Sequence, residues 1–243
     1  MIYPKFFFED KQNKNKNEGD ENTSSIFVIM PFANQFTDVY NKGIKSLARK
    51  MELDCVRADE IFRSKPIMED ILRYIYKSQI IIADTTGRNP NVFYELGISH
   101  TTKEFVIIIS QSLDDVPFDL RHLRCFLYSP TNEGIKHLQL VLFKALLVVL
   151  LEISTQGNDA LQKVNNKNEK VFKKRGQANP SAGIVQTVQK EMEQYCDVVN
   201  NIRETVSLST LSKSIKKYHK AHTYLIKNLS KLYKQLIQIN EQI

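Results

Sequence analysis

Asp84, Asn91 and Glu95 are the side chains whose types and spacing best suit joint chemistry. Asp84 closes the apolar run QIIIAD (79–84), TTGR follows, and NPNVFYELG spans 89–97. Asn89 suits an N-cap and Pro90 the first helical position. Glu95 then lies six positions in, beyond the turn where a helix end favours a carboxylate, so capping does not account for it. Asn91 and Glu95 are four apart and share a helix face. Val92, Phe93 and Leu96 form the adjoining apolar face. Gly97 costs about 1 kcal/mol relative to alanine inside a helix, so close approach to the backbone is expected there. Carboxylates, an amide and backbone donors would thus converge on one crevice.

The elements that must position these groups alternate. IFVIM (26–30), LDCVRAD (53–59), QIIIAD (79–84), FVIIIS (105–110) and CFLYS (125–129) read as strands. Helices are expected over 35–51, 66–77 and 90–102 from their apolar spacing. Strands apolar on both faces, separated by helices, make a parallel α/β sheet with right-handed crossovers. Five strands in the flavodoxin-like order 2-1-3-4-5 are expected. Ligands of such sheets bind beyond the carboxyl ends of the strands. Met30, Pro31 and Phe32 after the first strand, and Asp59 after the second, should therefore reach the same edge as Asp84. Neither GxGxxG nor GxxxxGK[ST] occurs. A nucleotide bound here would be held through its sugar by acidic groups. Two plainer roles stand beside this one: Asp84 as a cap of the following turn, and Asp59–Glu60 as surface charge.

The remaining chain divides into an arm and linker (1–25), a second linker (153–183) and a helical region (184–243), flanking an α/β domain over 26–152. Phe6, Phe7 and Phe8 in the arm need a docking place, since three exposed phenylalanines make an adhesive patch. Residues 153–183 are rich in Asn and Lys and accommodate at most one short helix, around 159–173. From Leu208 through Leu211, Ile215, Tyr218, His222, Leu225, Leu229, Leu232, Leu236 and Ile239 to Ile243, apolar steps alternate between three and four. Val185, Val188, Met192, Tyr195, Val199, Ile202 and Val206 do the same. Seams this narrow need partner helices, either folded back within the chain or from other chains. A homo-oligomer or a helical partner protein is expected through 184–243. His222 is expected to be a buried polar group that sets register.

The formal net charge is +7, and Lys213, Lys216, Lys217, Lys220, Lys227, Lys231 and Lys234 concentrate much of the excess in the last helix. A polyanion would suit that face, but the lack of interleaved aromatics disfavours nucleic acid. Cys55, Cys125 and Cys196 are scattered, which predicts reduced cytosolic thiols, with no disulfide framework and no metal site. The start lacks a signal-peptide pattern. The apolar stretch 138–151 contains Lys144 and is shorter than the about 20 residues of a bilayer span, so a buried helix is expected and a membrane partner is not. A cytoplasmic location is the reading.

IFVIMPF, RADE (57–60), IIIADTTGRNPNVFYELGISH and VPFDLRHLRCFLY together resemble the nucleoside 2-deoxyribosyltransferase-like superfamily, and the NPNVFYELG block is similar to TIR-type domains. The likeness covers about 26–130. It implies a flavodoxin-like domain that cleaves or exchanges the N-glycosidic bond of NAD, a nucleotide or a nucleoside, with no further cofactor. Glu95 matches the catalytic glutamate. By the same resemblance Asp84 would hold sugar hydroxyls or the base, Asn89 and Asn91 would shape the pocket, Met30, Pro31 and Phe32 would line the base site, and Phe118 and Asp119 would close it. The long helical tail departs from the short single-domain transferases. Proteins of this mixed kind are associated with bacterial anti-phage immunity. A non-catalytic nucleotide sensor, or an interaction protein built on a basic coil, are the alternatives.

Overall fold

A computed structural model describes residues 26–61, 67–103, 105–174, 176, 178–179 and 182–240. The Phe6–Phe8 arm, the 11–25 linker and Pro66 lie outside them. Five apolar runs become strands: β1 (Ile26–Ile29), β2 (Cys55–Arg57), β3 (Ile80–Asp84), β4 (Val106–Ser110) and β5 (Cys125–Leu127). They form one all-parallel sheet in the order 2-1-3-4-5, the flavodoxin-like arrangement expected from the sequence. Every residue of β1 and β3 is buried. Alternation sends Ile26, Val28, Ile80 and Ile82 to one face, and Phe27, Ile29, Ile81 and Ala83 to the other. The register pairs Asp84 with Ile109, which leaves the carboxylate at the carboxyl edge of the sheet.

The helical stretch after β1 is wound in three ways. A 3-10 turn (Asn34–Phe36) leads into a π-helical segment (Val39–Lys45), and α1 (Ser46–Lys50) completes it. The buried stripe of Phe36, Val39, Tyr40, Ile44 and Leu47 runs through all three. Because that spacing serves either winding, the sequence reads as one regular helix. Helices α2 (Ile67–Lys77) and α3 (Pro90–Thr102) follow. Their residues Ile71, Ile75, Val92 and Leu96 cover the second face of the sheet.

On the first face, α4 (Asn132–Lys174) is a continuous helix of 43 residues. This corrects the expected linker over 153–183, of which 153–174 is helical. The stretch loses the dense apolar stripe that marks 138–151. It is held instead by contacts with the next helix, such as Gln162 with Gln189, and by Asn179 donating to Asn165 at 3.0 Å. Helix α5 (Ala182–Thr205) packs on α4, and α6 (Leu211–Asn240) packs on α5. The first predicted seam, Val185, Val188, Met192, Tyr195, Val199, Ile202 and Val206, is buried throughout. In α6, Leu211, Ile215, Tyr218 and Leu225 are buried, and Leu229 and Leu232 pack beside them. Leu208 is half exposed, and the side chains of Leu236 and Ile239, with Ile243, lie outside the described residues. From Leu211 to Leu232 the seam thus packs against residues of the same chain. His222 stacks on Tyr218 with ring centroids 5.5 Å apart, and burial lowers its pKa.

One buried cluster runs from Val28, Ile82 and Ile109 through Leu142, Phe143, Leu146 and Leu147 to Tyr195 and Tyr218. The tail is therefore packed into the same core as the sheet, and the expected boundary at 152 falls in the middle of α4. Residues Asn132–Asp159 are long and apolar enough to cross a membrane by length and composition. Within this stretch Leu138, Leu142, Phe143, Leu146 and Leu147 face this core and are almost fully buried.

Because α4 serves both layers, Leu146→Ala should destabilise the whole protein by about 2–5 kcal/mol. Calorimetry should show the sheet and the helical layer melting in one lowered transition. Two separated transitions would contradict a shared core.

Candidate functional site

Asp84 is completely buried at the end of β3. Its Oδ1 accepts hydrogen bonds from the Thr86 backbone N–H at 3.0 Å and the Thr86 hydroxyl at 2.5 Å. Its Oδ2 accepts from the Tyr128 hydroxyl at 2.6 Å. The Gln111 backbone N–H donates to Thr86 Oγ1 at 3.0 Å, and its side-chain amide donates to Tyr128 at 3.1 Å. Burial raises the pKa of Asp84, and the bonds from Thr86 and Tyr128 pull against that rise. One carboxylate thus ties together the ends of β3, β4 and β5. This is the capping role, and both oxygens are engaged by protein in it.

The turn after Asp84 is tightly wound. Gly87 and Arg88 have φ of 74° and 54°. The left-handed region is natural for Gly87 but costs about 1–2 kcal/mol at Arg88. Anchors on the turn after β4 hold it there. Arg88 Nε donates to the Asp114 carbonyl at 3.0 Å, and the Gly87 N–H donates to the Asp115 carboxylate at 3.0 Å. Asn89 then caps α3 as read from the sequence, its side chain accepting from the Asn91 N–H at 2.9 Å. That oxygen is spent on the cap.

Glu95 is 8% exposed, on the helix side that also buries Val92, Leu96 and Ser99. The Ser99 hydroxyl donates to the backbone carbonyl of Glu95 at 2.8 Å, not to its carboxyl. Among the described residues the Glu95 carboxyl has no hydrogen-bond or ion-pair partner. Burial alone pushes its pKa up to about 7. Asn91, one turn away, is exposed, and no hydrogen bond joins the two side chains. Gly97 is exposed too, and a β-carbon there would meet nothing within 4 Å. The expected close approach to its backbone is not made by the protein, because Gly97 faces away from the sheet.

Around this edge, Met30 and Pro31 are buried while Phe32 is 52% exposed. Phe118, in a 3-10 turn after β4, is 80% exposed, and Asp119 beside it is exposed. Asp59 does not stand as a free acid. Arg57 grips it with Nε and Nη2, both at 2.6 Å, and lies over the Tyr40 ring at 4.3 Å and the Phe32 ring at 5.9 Å. Glu60 accepts from the Tyr40 hydroxyl at 2.5 Å and from Lys45. Burial works against its ionised form, but the bonds from Lys45 and Tyr40 outweigh that and its pKa falls.

Thr86, Gln111, Tyr128, Arg57, Tyr40 and Glu60 were not anticipated as site residues. Gln111 directly follows FVIIIS, and Tyr128 is the polar-tipped member of CFLYS, so a polar group ending an apolar strand was the available signal. What cannot be read along the chain is that both converge on Asp84 from different strands.

Tyr128→Phe removes the one donor to Asp84 Oδ2 among the described residues while leaving the ring in place. It should cost about 1–3 kcal/mol, because a buried oxygen is left unsatisfied. Chemical denaturation checks this, and an unchanged midpoint would show that the network is not stabilising. Compared with known proteins, the chain matches no protein-family model, and no curated protein is significantly similar to it in sequence.

Proposed function

We propose that this protein is an N-glycosidase that cleaves the base–ribose bond of NAD or a related nucleotide or nucleoside, with Glu95 as the catalytic carboxylate. The observation that carries the reading is the state of Glu95: buried, without a hydrogen-bond or ion-pair partner for its carboxyl among the described residues, and with a pKa pushed up to about 7. A desolvated anion with nothing to neutralise it interacts strongly with a cation that develops beside it. As the C–N bond of a nucleoside lengthens, the base leaves with the bonding pair and the sugar becomes cationic. Glu95 would stabilise that sugar or form a bond to its anomeric carbon, and water would complete hydrolysis.

In this reading Phe32 and Phe118 offer exposed rings to a base or nicotinamide, and Met30 and Pro31 back the first of them. Asn91 and Asp119 are the polar groups free to meet sugar hydroxyls. Asp84, Asp59 and Asn89 act through other groups, holding the loop, Arg57 and the helix start. The resemblance to deoxyribosyltransferase-like and TIR-type domains supports the same chemistry and, with it, a cytoplasmic anti-phage effector. Oligomerisation would use surface left over by the filled seams, where Tyr224 and Ile226 of α6 are 59% and 50% exposed. The complete engagement of Asp84 within the protein favours a second reading, a non-catalytic nucleotide-binding sensor.

Purified protein incubated with NAD, NADP and nucleosides, assayed by mass for released base over a range of protein concentrations, tests the proposal. Glu95→Gln should lower turnover by about 10³-fold or more. Full turnover in that variant excludes the mechanism, and tight nucleotide binding without product selects the sensor. For the active enzyme, kcat/KM should rise with pH through about 7, as Glu95 loses its proton.

The same substitution should stabilise the fold. The folded pKa of about 7 lies above the ordinary 4.5, so the folded state holds a proton that the unfolded state releases. The carboxyl therefore destabilises increasingly as pH rises through that window. Glu95→Gln should gain on the order of 2–3 kcal/mol above pH 7, and the gain should vanish below the unfolded pKa. A melting temperature that responds equally to the substitution at acid and alkaline pH would argue against a desolvated Glu95.

A further inference from the structure

A groove of about 800 Å³ opens where the start of α6 meets the end of α1 and the first turns of α4. None of the residues placed around Glu95 and Asp84 lines it. Its floor is apolar, from Leu208, Leu211 and Ile215, and Leu208 is 52% exposed. Arg49, Lys50, Lys136 and Lys216 also line it, brought together from three helices. Among the described residues none of these four has an ion-pair or side-chain hydrogen-bond partner. Helices α4 and α6 both begin at the groove, and a helix start adds positive partial charge. The acids there are fewer: Glu52 faces His219 at 3.3 Å, and Glu133 sits in the first turn of α4. The fold therefore gathers like charges over an apolar floor, and their mutual repulsion is relieved when an anion binds among them.

We propose that this groove binds one molecule of a small amphiphilic anion, an apolar chain with a carboxylate or phosphate head. The chain lies on Leu208, Leu211 and Ile215, and the head sits among the four cations. Charge and size both favour that occupant. Small-molecule sites measure about 300–1,000 Å³ and join an apolar lining to a few placed polar groups. A helix of a partner protein fits less well. An α-helix about 11 Å across fills about 500 Å³ per turn, so the groove takes less than two turns of one. A segment that short has little helical order of its own to bring to the contact. Bound in the groove, the anion touches α1, α4 and α6 together and fastens the start of α6 to α1.

Calorimetric titration of the full chain with decanoate and with decyl phosphate, each below its micelle concentration, tests the site. Decanol and decyltrimethylammonium are the uncharged and cationic controls. At least one anion should bind one-to-one and raise the melting temperature, and the tighter of the two identifies the head group. Both controls should bind about tenfold or more weakly than that anion, since they lack the charge-assisted contacts. Lys136→Gln combined with Lys216→Gln, and separately Leu208→Asn, should each weaken the anion about tenfold. These side chains are exposed, so the variants should fold as the parent does. Should the double variant not fold, Arg49→Gln combined with Lys50→Gln gives the same reading from α1. The proposal is overturned if neither anion binds, if the cationic control binds as tightly, or if the variants leave affinity unchanged. Three further results also overturn it by naming another occupant. Binding to anionic lipid vesicles but not to the monomeric anions assigns the groove to a membrane surface. An acidic amphipathic peptide of leucine and glutamate that outcompetes both anions assigns it to a partner helix. A dimer in sedimentation that Leu208→Asn splits assigns it to a second copy.

Discussion

A parallel sheet must be covered on both faces, and the way this one is covered governs the rest of the molecule. On one side α2 and α3 suffice, with Ile71, Ile75, Val92 and Leu96 against Phe27, Ile29 and Ile81. On the other side α4 lies beside the π-helical segment Val39–Lys45 and presents apolar residues in more than one direction, from Leu138 to Val149. A helix that is apolar over so much of its circumference cannot be left with one side in water. Helices α5 and α6 supply the missing cover. Phe143 meets Tyr218 edge to face at 6.2 Å, and Tyr218 in turn stacks on His222. The helical tail is thus the outer layer of the sheet's own core, and its buried seam positions from Val185 to Val206 and from Leu211 to Leu225 meet residues of the same chain.

Two buried acids, Asp84 at the end of β3 and Glu95 within α3, are treated in opposite ways. Asp84 receives three donors and serves as the fastening point for the ends of three strands. Among the described residues the Glu95 carboxyl receives none. Burial raises the pKa of both, yet only Asp84 has protein groups that favour its charge. A carboxylate that the fold satisfies is part of the scaffold. One that the fold desolvates and leaves unsatisfied holds free energy available to a cationic or hydrogen-bonding ligand. This division of labour makes Glu95, rather than Asp84, the group on which a catalytic reading depends. The strained Gly87–Arg88 turn and its anchors on Asp114 and Asp115 then serve to deliver α3, and Glu95 with it, to a defined place.

Several features were legible along the chain because they depend on near neighbours. Apolar runs of four or five residues, separated by helical spacing, determine the five parallel strands and their order. Asn89 and Pro90 determine where α3 begins, since capping is settled within three residues. The three- and four-residue steps of α5 and α6 determine which side chains are buried. Tertiary structure alone decided what those buried faces meet. The continuation of α4 through 153–174 rests on contacts with α5 that a polar, Asn-rich stretch does not announce. The roles of Asp59, Asp84 and Gly97 were likewise decided in three dimensions: Arg57 neutralises the first, Tyr128 and Thr86 satisfy the second, and the third faces open space. The physical reason is the same in each case. A periodic pattern records how strongly a face avoids water, whereas the partner of a single polar group depends on where distant segments come together.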